Sequence, residues 1–388
     1  MKIAFCIENY LTSRVGAEQY VNDLSRRLSA GSHEVHILTM SSGEDHRDGL
    51  RIHILKCGPL PRFLKTLCFA VRCRKAVRGQ GFDIVHSFGR TWGMDVFQPL
   101  GGSQIAGLIG NIRSIDSLPR WVIKILTYIF SFRRIIYFYV ERVQMKEAEV
   151  VIAISAMVKG DLLRYCRLRE NKVRIVRNGV DLNRFHPRNR ENSREQTRRN
   201  LGLAAADVMV IFLAHNFRLK GLQTLIGAMA EMDKSRPGHP FKVVVLGAGK
   251  EKQFAALARK LRVADKFLFI GCEEDTPRFY AAADISVHPS YYDPSALVVL
   301  EAMASGLPVI TTAYCGTSEI IQEGQEGYIV PTPSDTVLLA DRIRRLGDRE
   351  LRRRMGEAAR RRAEEFPYSR NMQEVLDIYD QYIGSCGG

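Results

Sequence analysis

The sequence predicts an α/β protein of two doubly wound domains with a cleft between them, each a parallel sheet covered by helices on both faces. Three observations carry that prediction. Short apolar runs of strand length alternate with amphipathic stretches of helix length. The alternation runs once, stops at a polar, Arg-rich interval (186–207), and starts again. The chain of 388 residues also exceeds the roughly 250–300 residues that one hydrophobic core organises.

The elements follow in order. KIAFCI (2–7) reads as a buried strand. The amphipathic helix after Gly16 places Tyr20, Val21, Leu24 and Leu28 at helical spacing, with Arg26 and Arg27 off that face, and Gly31-Ser32 ends it. EVHILT (34–39) and FDIVHSFG (82–89) are further strands. In the second series VMVIFLA (208–214), FKVVVLGAG (241–249), KFLFIGC (266–272) and DISVHPS (284–290) are strands. GLQTLIGAMAEM (221–232), EKQFAALARKL (251–261) and TPRFYAAA (276–283) are the helices between them. Residues 344–366 read as one charged helix, and 372–383 as the last helix.

Composition narrows the class. With 46% hydrophobic and 26% charged residues the chain is a soluble globular type. Its eight cysteines are scattered, with no C-x-x-C pair, which points to free thiols in a reducing cytosol and away from zinc or disulfides. MKIAFCIENY is too short an apolar run, broken by Glu8, to read as a signal peptide. The net charge of +15 is uneven. Residues 1–200 hold 34 Lys and Arg against 18 Asp and Glu, and the remainder 23 against 24. Residues 49–82 carry eight bases and no acid, a field that attracts phosphate, nucleic acid or an anionic membrane. Residues 121–140, WVIKILTYIFSFRRIIYFYV, are interrupted by Lys124, Arg133 and Arg134, so a transmembrane span is not expected. Two readings stay open for this stretch: a basic aromatic helix in the membrane interface, with Trp121, Tyr128, Phe130 and Phe132 at headgroup level, or a core helix with two surface arginines.

The chemistry concentrates in DPSALVVLEAMASGLPVI (293–310), where Asp293 and Glu301 bracket an apolar segment. Acids beside a core are costly unless paired or holding a ligand. With Asp293 in a loop and a helix starting near Ser295, the N–H groups of Ser295, Ala296 and Leu297 form a dipole end where a diphosphate fits. The two acids can then flank one elongated ligand, at the carboxyl ends of parallel strands where such sheets bind ligands. Gly247 is another turn after a strand, which either lines a pocket or merely ends the strand.

The acid, seven residues, Glu pattern, followed by EAMASGLPVI and GTSEII, resembles the donor-site signature of the retaining glycosyltransferases of family 4, which have the GT-B fold. VRNGVDLNRFHP (176–187) resembles the family's interdomain motif, NFRLKGLQTLIGAM (216–229) its basic phosphate loop, and GAEQYVNDLSRRLSAGSHEVHILT (16–39) its N-terminal Gly-loop and helix. Within the family, MKIAFCIENY, NFRLKG and TAYCG are most similar to the lipopolysaccharide core glucosyltransferases.

The resemblance implies an acceptor domain (1–180), a nucleotide-sugar domain (181–366) and a C-terminal helix (367–388) crossing back to the first. It implies that Arg218 and Lys220 stabilise the leaving diphosphate, unless they are ordinary surface bases, that Glu301 binds ribose hydroxyls, and that Asp293 binds the hexose. Family members carry Glu where this chain has Asp293, one methylene shorter. Gly247 and Cys272 would contribute to the nucleotide pocket. On the acceptor side Gly16 admits close approach of a substrate, and Glu18 is either a catalytic carboxylate or a helix-start acid. A conventional base near 95–104 is not identifiable, and the leaving phosphate can itself deprotonate the acceptor.

No D-x-D metal motif lies in a suitable loop, so no metal or cofactor is expected. The expected activity is transfer of a hexose, from UDP-glucose, to a cell-envelope glycolipid or oligosaccharide at the cytoplasmic face of an anionic inner membrane. GDP-mannose or another nucleotide-sugar donor is the nearest alternative. A basic membrane- or nucleic-acid-binding protein without catalysis is the other, although no nucleic-acid-binding motif is present.

Overall fold

The computed structural model describes residues 1–10, 16–43, 49–115, 118–129 and 131–386. It divides into two units, Met1–Arg177 with Ser369–Gly388, and Asn178–Tyr368. The breaks fall at 177/178 and 368/369.

The first unit contains β1 (Lys2–Cys6), β2 (Asn9–Tyr10), β3 (Glu34–Thr39), β4 (Ser41–Ser42), β5 (Arg51–Ile54), β6 (Ile84–Ser87), β7 (Val96–Phe97), β8 (Val150–Ala153) and β9 (Val173–Ile175). Seven of these make one parallel sheet in the order β5-β3-β1-β6-β7-β8-β9, and β2 pairs with β4. Its helices are α1 (Ala17–Ala30), α2 (Arg62–Val77), α3 (Gln104–Arg113), α4 (Leu118–Ile129), α5 (Phe132–Glu147) and α6 (Ala156–Cys166). Alternate residues of β1 serve opposite cores. Ile3 and Phe5 pack with Tyr20, Val21 and Leu24 of α1, whereas Ala4 and Cys6 pack with Phe69 and Cys73 of α2.

The second unit contains β10 (Val208–Leu213), β11 (Phe241–Leu246), β12 (Phe267–Gly271), β13 (Ile285–His288), β14 (Val309–Thr312) and β15 (Gly327–Val330), all parallel in the order β12-β11-β10-β13-β14-β15. Helices α7 (Asn189–Asn200), α8 (Leu222–Ser235), α9 (Glu251–Lys260), α10 (Thr276–Ala282), α11 (Leu297–Ala304), α12 (Thr336–Arg345) and α13 (Arg349–Ala363) cover it. Val210 and Phe212 face the core that includes α8, and Met209 and Ile211 face that of α10 and α11.

The final helix, α14 (Tyr368–Cys386), spans the second break, and its residues from Ser369 onward pack in the first unit. Val375, Ile378 and Tyr379 enter the β1 core. The Tyr379 hydroxyl lies 2.5 Å from His86 Nδ1, and Tyr382 donates to Asp95 at 2.9 Å. Burial holds the His86 imidazole down to about 3, so it is a neutral core group.

Two expectations about elements are corrected, and one unassigned stretch gains an element. The Arg-rich interval, given no element in the sequence reading, forms α7, whose Arg194 and Arg198 turn inward to bond carbonyls at the end of α10 and the Asp284 carboxylate. The charged helix over 344–366 is two helices, since Asp348 accepts from Leu351 N–H and starts α13 after α12 has ended. The stretch 121–140 is likewise two helices, α4 and α5, with Ser131 at the N-cap of the second. No helix among the described residues is long and apolar enough to cross a membrane.

Candidate donor site

The site of the second unit is built on the loops after β10 and β13. The loop after β10 turns into α8 through Gly221, whose φ is +81° and where a Cβ would lie 1.9 Å from the Pro289 carbonyl oxygen. Only glycine lets this loop press against the end of β13. That approach, sealed by Tyr291 N–H donating to the Leu219 carbonyl at 2.8 Å, brings Lys220 beside Asp293.

Lys220 Nζ lies 2.7 Å from Asp293 Oδ2 and donates to the Tyr292 carbonyl at 3.2 Å. His288 Nε2 lies 2.8 Å from the same carboxylate oxygen. His288 Nδ1 is buried without a partner, so the tautomer with its proton on Nε2 suits the contact. Burial works against ionisation of Asp293, but Lys220, and after it His288, outweigh burial and hold the carboxyl below the usual carboxylate range. Burial also lowers the His288 imidazole, against the pull of Asp293. Among the described residues none hydrogen-bonds Asp293 Oδ1. An ammonium has three donors and Lys220 uses two. The pair is therefore ionised and held, with an acceptor and a donor left for a ligand.

Glu301 projects from the second turn of α11. Tyr280 of α10 donates to its Oε2 at 2.9 Å and to the Val298 carbonyl at 3.2 Å. Burial raises the Glu301 carboxyl, and Tyr280 and the charge of Arg184 draw it partly back. The two acids thus differ: Asp293 is fixed as an anion, whereas Glu301 is a less readily ionised hydrogen-bonding group. Helix α11 begins at Leu297, two residues later than expected, and its capping residue Ala296 supplies no side-chain oxygen to the first turn. Ser295 sits in the preceding loop, half-buried.

The other expected donor residues are less committed. Arg218 is half-buried and its guanidinium makes no ion pair among the described residues. Gly247 (φ +108°) is required by packing, since a Cβ there would lie 2.0 Å from the Ala214 carbonyl oxygen. Its N–H is spent on the Gly271 carbonyl at 2.7 Å, so only its surface is open to a ligand. Cys272 is exposed. Sequence reasoning missed His288, Tyr280 and Arg184. His288 left a readable signal, a polar residue closing an apolar strand five positions before Asp293. Tyr280 left none, because an aromatic residue on a buried helix reads as core.

In the first unit Gly16 caps α1 with φ +60° and open space around it. Glu18 lines a cavity of about 440 Å³ at the carboxyl ends of the strands, together with Glu8, Lys65, Arg90 and Tyr137. Arg90 bonds Glu8 at 3.2 Å and stacks over Tyr137. Among the described residues no group of three or more His, Cys, Asp or Glu side chains is arranged to hold a metal ion.

Comparison with known proteins identifies the family and the fold. Residues 15–184 match the family model for Glycosyltransferase Family 4, and residues 193–362 that for glycosyl transferases group 1. D-inositol 3-phosphate glycosyltransferase of Salinispora arenicola is 26% identical over 96% of this chain and 88% of its own. Lipopolysaccharide glucosyltransferase WaaG of Escherichia coli is 30% identical over 53% of this chain and 55% of its own. A crystal structure of WaaG superposes with a TM-score of 0.81 at 23% identity, covering 97% of this chain and 99% of that one. Anabaena HepE in complex with UDP-glucose superposes with a TM-score of 0.74 at 18% identity, covering 98% and 100%.

Proposed function

Because the chain belongs to the group 1, family 4 glycosyltransferases of GT-B fold, we propose that it moves glucose from UDP-glucose to a lipopolysaccharide-core or related cell-envelope glycolipid, with retention of configuration. The observation that carries this reading is the Lys220–Asp293–His288 cluster. Cleaving a sugar nucleotide builds charge on the diphosphate, which Lys220 and the uncommitted Arg218 can neutralise without a divalent ion. Asp293 Oδ1 accepts from a hexose hydroxyl, and Glu301, steadied by Tyr280, accepts from the ribose. The names of WaaG and of the HepE complex support glucose and UDP. The inositol-phosphate relative supports a second acceptor class, a phosphorylated polyol, for which Lys65 and Arg90 in the first unit's cavity are suitable cations.

We place the protein at the cytoplasmic face of the membrane as a peripheral enzyme. Exposed Ile123 and Leu126 of α4 and Phe132, Ile135 and Tyr139 of α5 offer apolar side chains to a lipid interface. Arg134 stacks on Tyr128 at 3.5 Å. The Trp121 side chain and Phe130 lie outside what the structure describes.

The test is a transfer assay with UDP-, GDP- and ADP-sugars in EDTA, against glycolipid and inositol-phosphate acceptors, with the product anomer read by NMR. UDP-glucose transfer to a glycolipid with retention is expected. A GDP-sugar preference, an inverted product, or complete loss of activity in EDTA restored by Mg²⁺ or Mn²⁺ would each discard that part of the reading.

A further inference from the structure

A second charged site lies on the opposite side of the second unit's sheet from the donor loops. A cavity of about 800 Å³ opens where β10, β13 and β14 begin, at Val208, Asp284 and Pro308. Its volume is that of a small-molecule pocket. Seven arginines and four carboxylates line it.

Three of the four carboxylates are already ion-paired with arginines. Asp284 is held by Arg194 at 2.7 Å and Arg198 at 3.2 Å. Glu357 is held by Arg353 at 2.6 Å and Glu364 by Arg360 at 2.8 Å. Asp207 accepts the Ala204 N–H at 2.7 Å. Among the described residues Arg190, Arg349, Arg352 and Arg361 have no ion pair. Arg190 spends one N–H on the Ala283 carbonyl, and its Nε is buried with no partner at all. Among the described residues Arg352 reaches only the Leu346 and Gly347 carbonyls, at 2.6 and 2.8 Å. Burial first, and like charge from Arg194 as well, lower the pKa of both Arg190 and Arg352. Four guanidinium charges converging on a half-enclosed space repel one another unless an anion joins them.

We propose that this cavity binds a soluble, phosphate-rich anion of oligophosphate to nucleotide size. Phosphate oxygens match guanidinium forks bidentately, and the set of four suits a ligand with several anionic groups in place of a single one. The floor includes Arg360, which donates to the Ala304 carbonyl at the end of α11 at 2.7 Å. An occupant there would sit at the far end of the helix that carries Glu301.

The experiment is calorimetric titration of the full chain with tripolyphosphate while UDP saturates the donor site. Binding of one equivalent is expected. Arg349→Glu with Arg361→Glu should weaken it at least tenfold while leaving UDP affinity and the melting temperature unchanged, because both side chains are exposed and unpaired. Arg349→Lys with Arg361→Lys should retain most of it. Equal affinity in wild type and the Glu variant overturns the proposal, as does abolition of binding by UDP or an equal response to sulfate at matched ionic strength. Displacement of tripolyphosphate by phosphatidic acid vesicles would assign the site to a lipid headgroup, and uptake of poly-glutamate in its place would assign it to an acidic peptide. Either result overturns the soluble-ligand form.

Discussion

The two units share a sheet plan and differ in how they use charge. In the second, the decisive charges are inward and paired: Asp293 serves Lys220 and His288 at once, and Tyr280 holds Glu301. In the first, the excess is outward. Arg72, Lys75 and Arg78 are exposed on and just after α2, and α4 and α5 expose large apolar side chains. Inward pairing fixes geometry for chemistry, whereas outward excess acts at a distance and is screened by salt. On this contrast rests our proposal that one unit carries donor chemistry and the other membrane attachment.

The largest effect that would sharpen this division is expected at Lys220. Lys220→Ala removes a donor from the departing diphosphate and should lower turnover by roughly 10²–10³, with the fold retained by circular dichroism. Near-wild-type turnover at saturating UDP-glucose would break the assignment of the second unit.

Next in size is membrane attachment. Each base near an anionic surface contributes roughly 1 kcal/mol. Reversing Arg72, Lys75 and Arg78 to Glu should therefore weaken sedimentation with phosphatidylglycerol vesicles by more than tenfold and leave UDP binding untouched. Arg74 is a poor choice for that variant, since its guanidinium bonds Glu147 and stacks on Trp92. Equal binding to neutral vesicles would contradict the electrostatic account.

A smaller effect concerns pH and stability. Glu301 has a raised folded pKa, so the native state favours its protonated form, and a cost appears as pH rises through that value. Asp293 works in the opposite direction: its depressed pKa gives stability that is present above the unfolded carboxylate range and lost as pH falls through the folded value. Glu301→Gln should accordingly raise the melting temperature at pH 8 by a few degrees and change it little at pH 4, while impairing use of UDP-glucose. A lower melting temperature at pH 8 would show that the Glu301 charge is not costly.

Much of this was legible in the sequence because parallel strands buried on both faces are continuous apolar runs, and glycine marks turns such as Gly221. Asp293 and Glu301 stood out as acids in an apolar stretch. The pairing of Asp293 with Lys220 did not, because it arises from the close approach of two loops far apart along the chain. Helix α7 within 186–207 is not legible in the sequence because it has almost no apolar face: its arginines bury themselves by bonding carbonyls, a pattern that hydrophobic periodicity does not register.

The most direct test of the division is calorimetric titration with UDP in EDTA, comparing wild type, Lys220→Ala and Glu18→Gln. The account predicts binding by the wild type, at least tenfold weaker binding by Lys220→Ala, and an unchanged constant for Glu18→Gln. Absence of UDP binding, or a loss at Glu18 as large as that at Lys220, would contradict it.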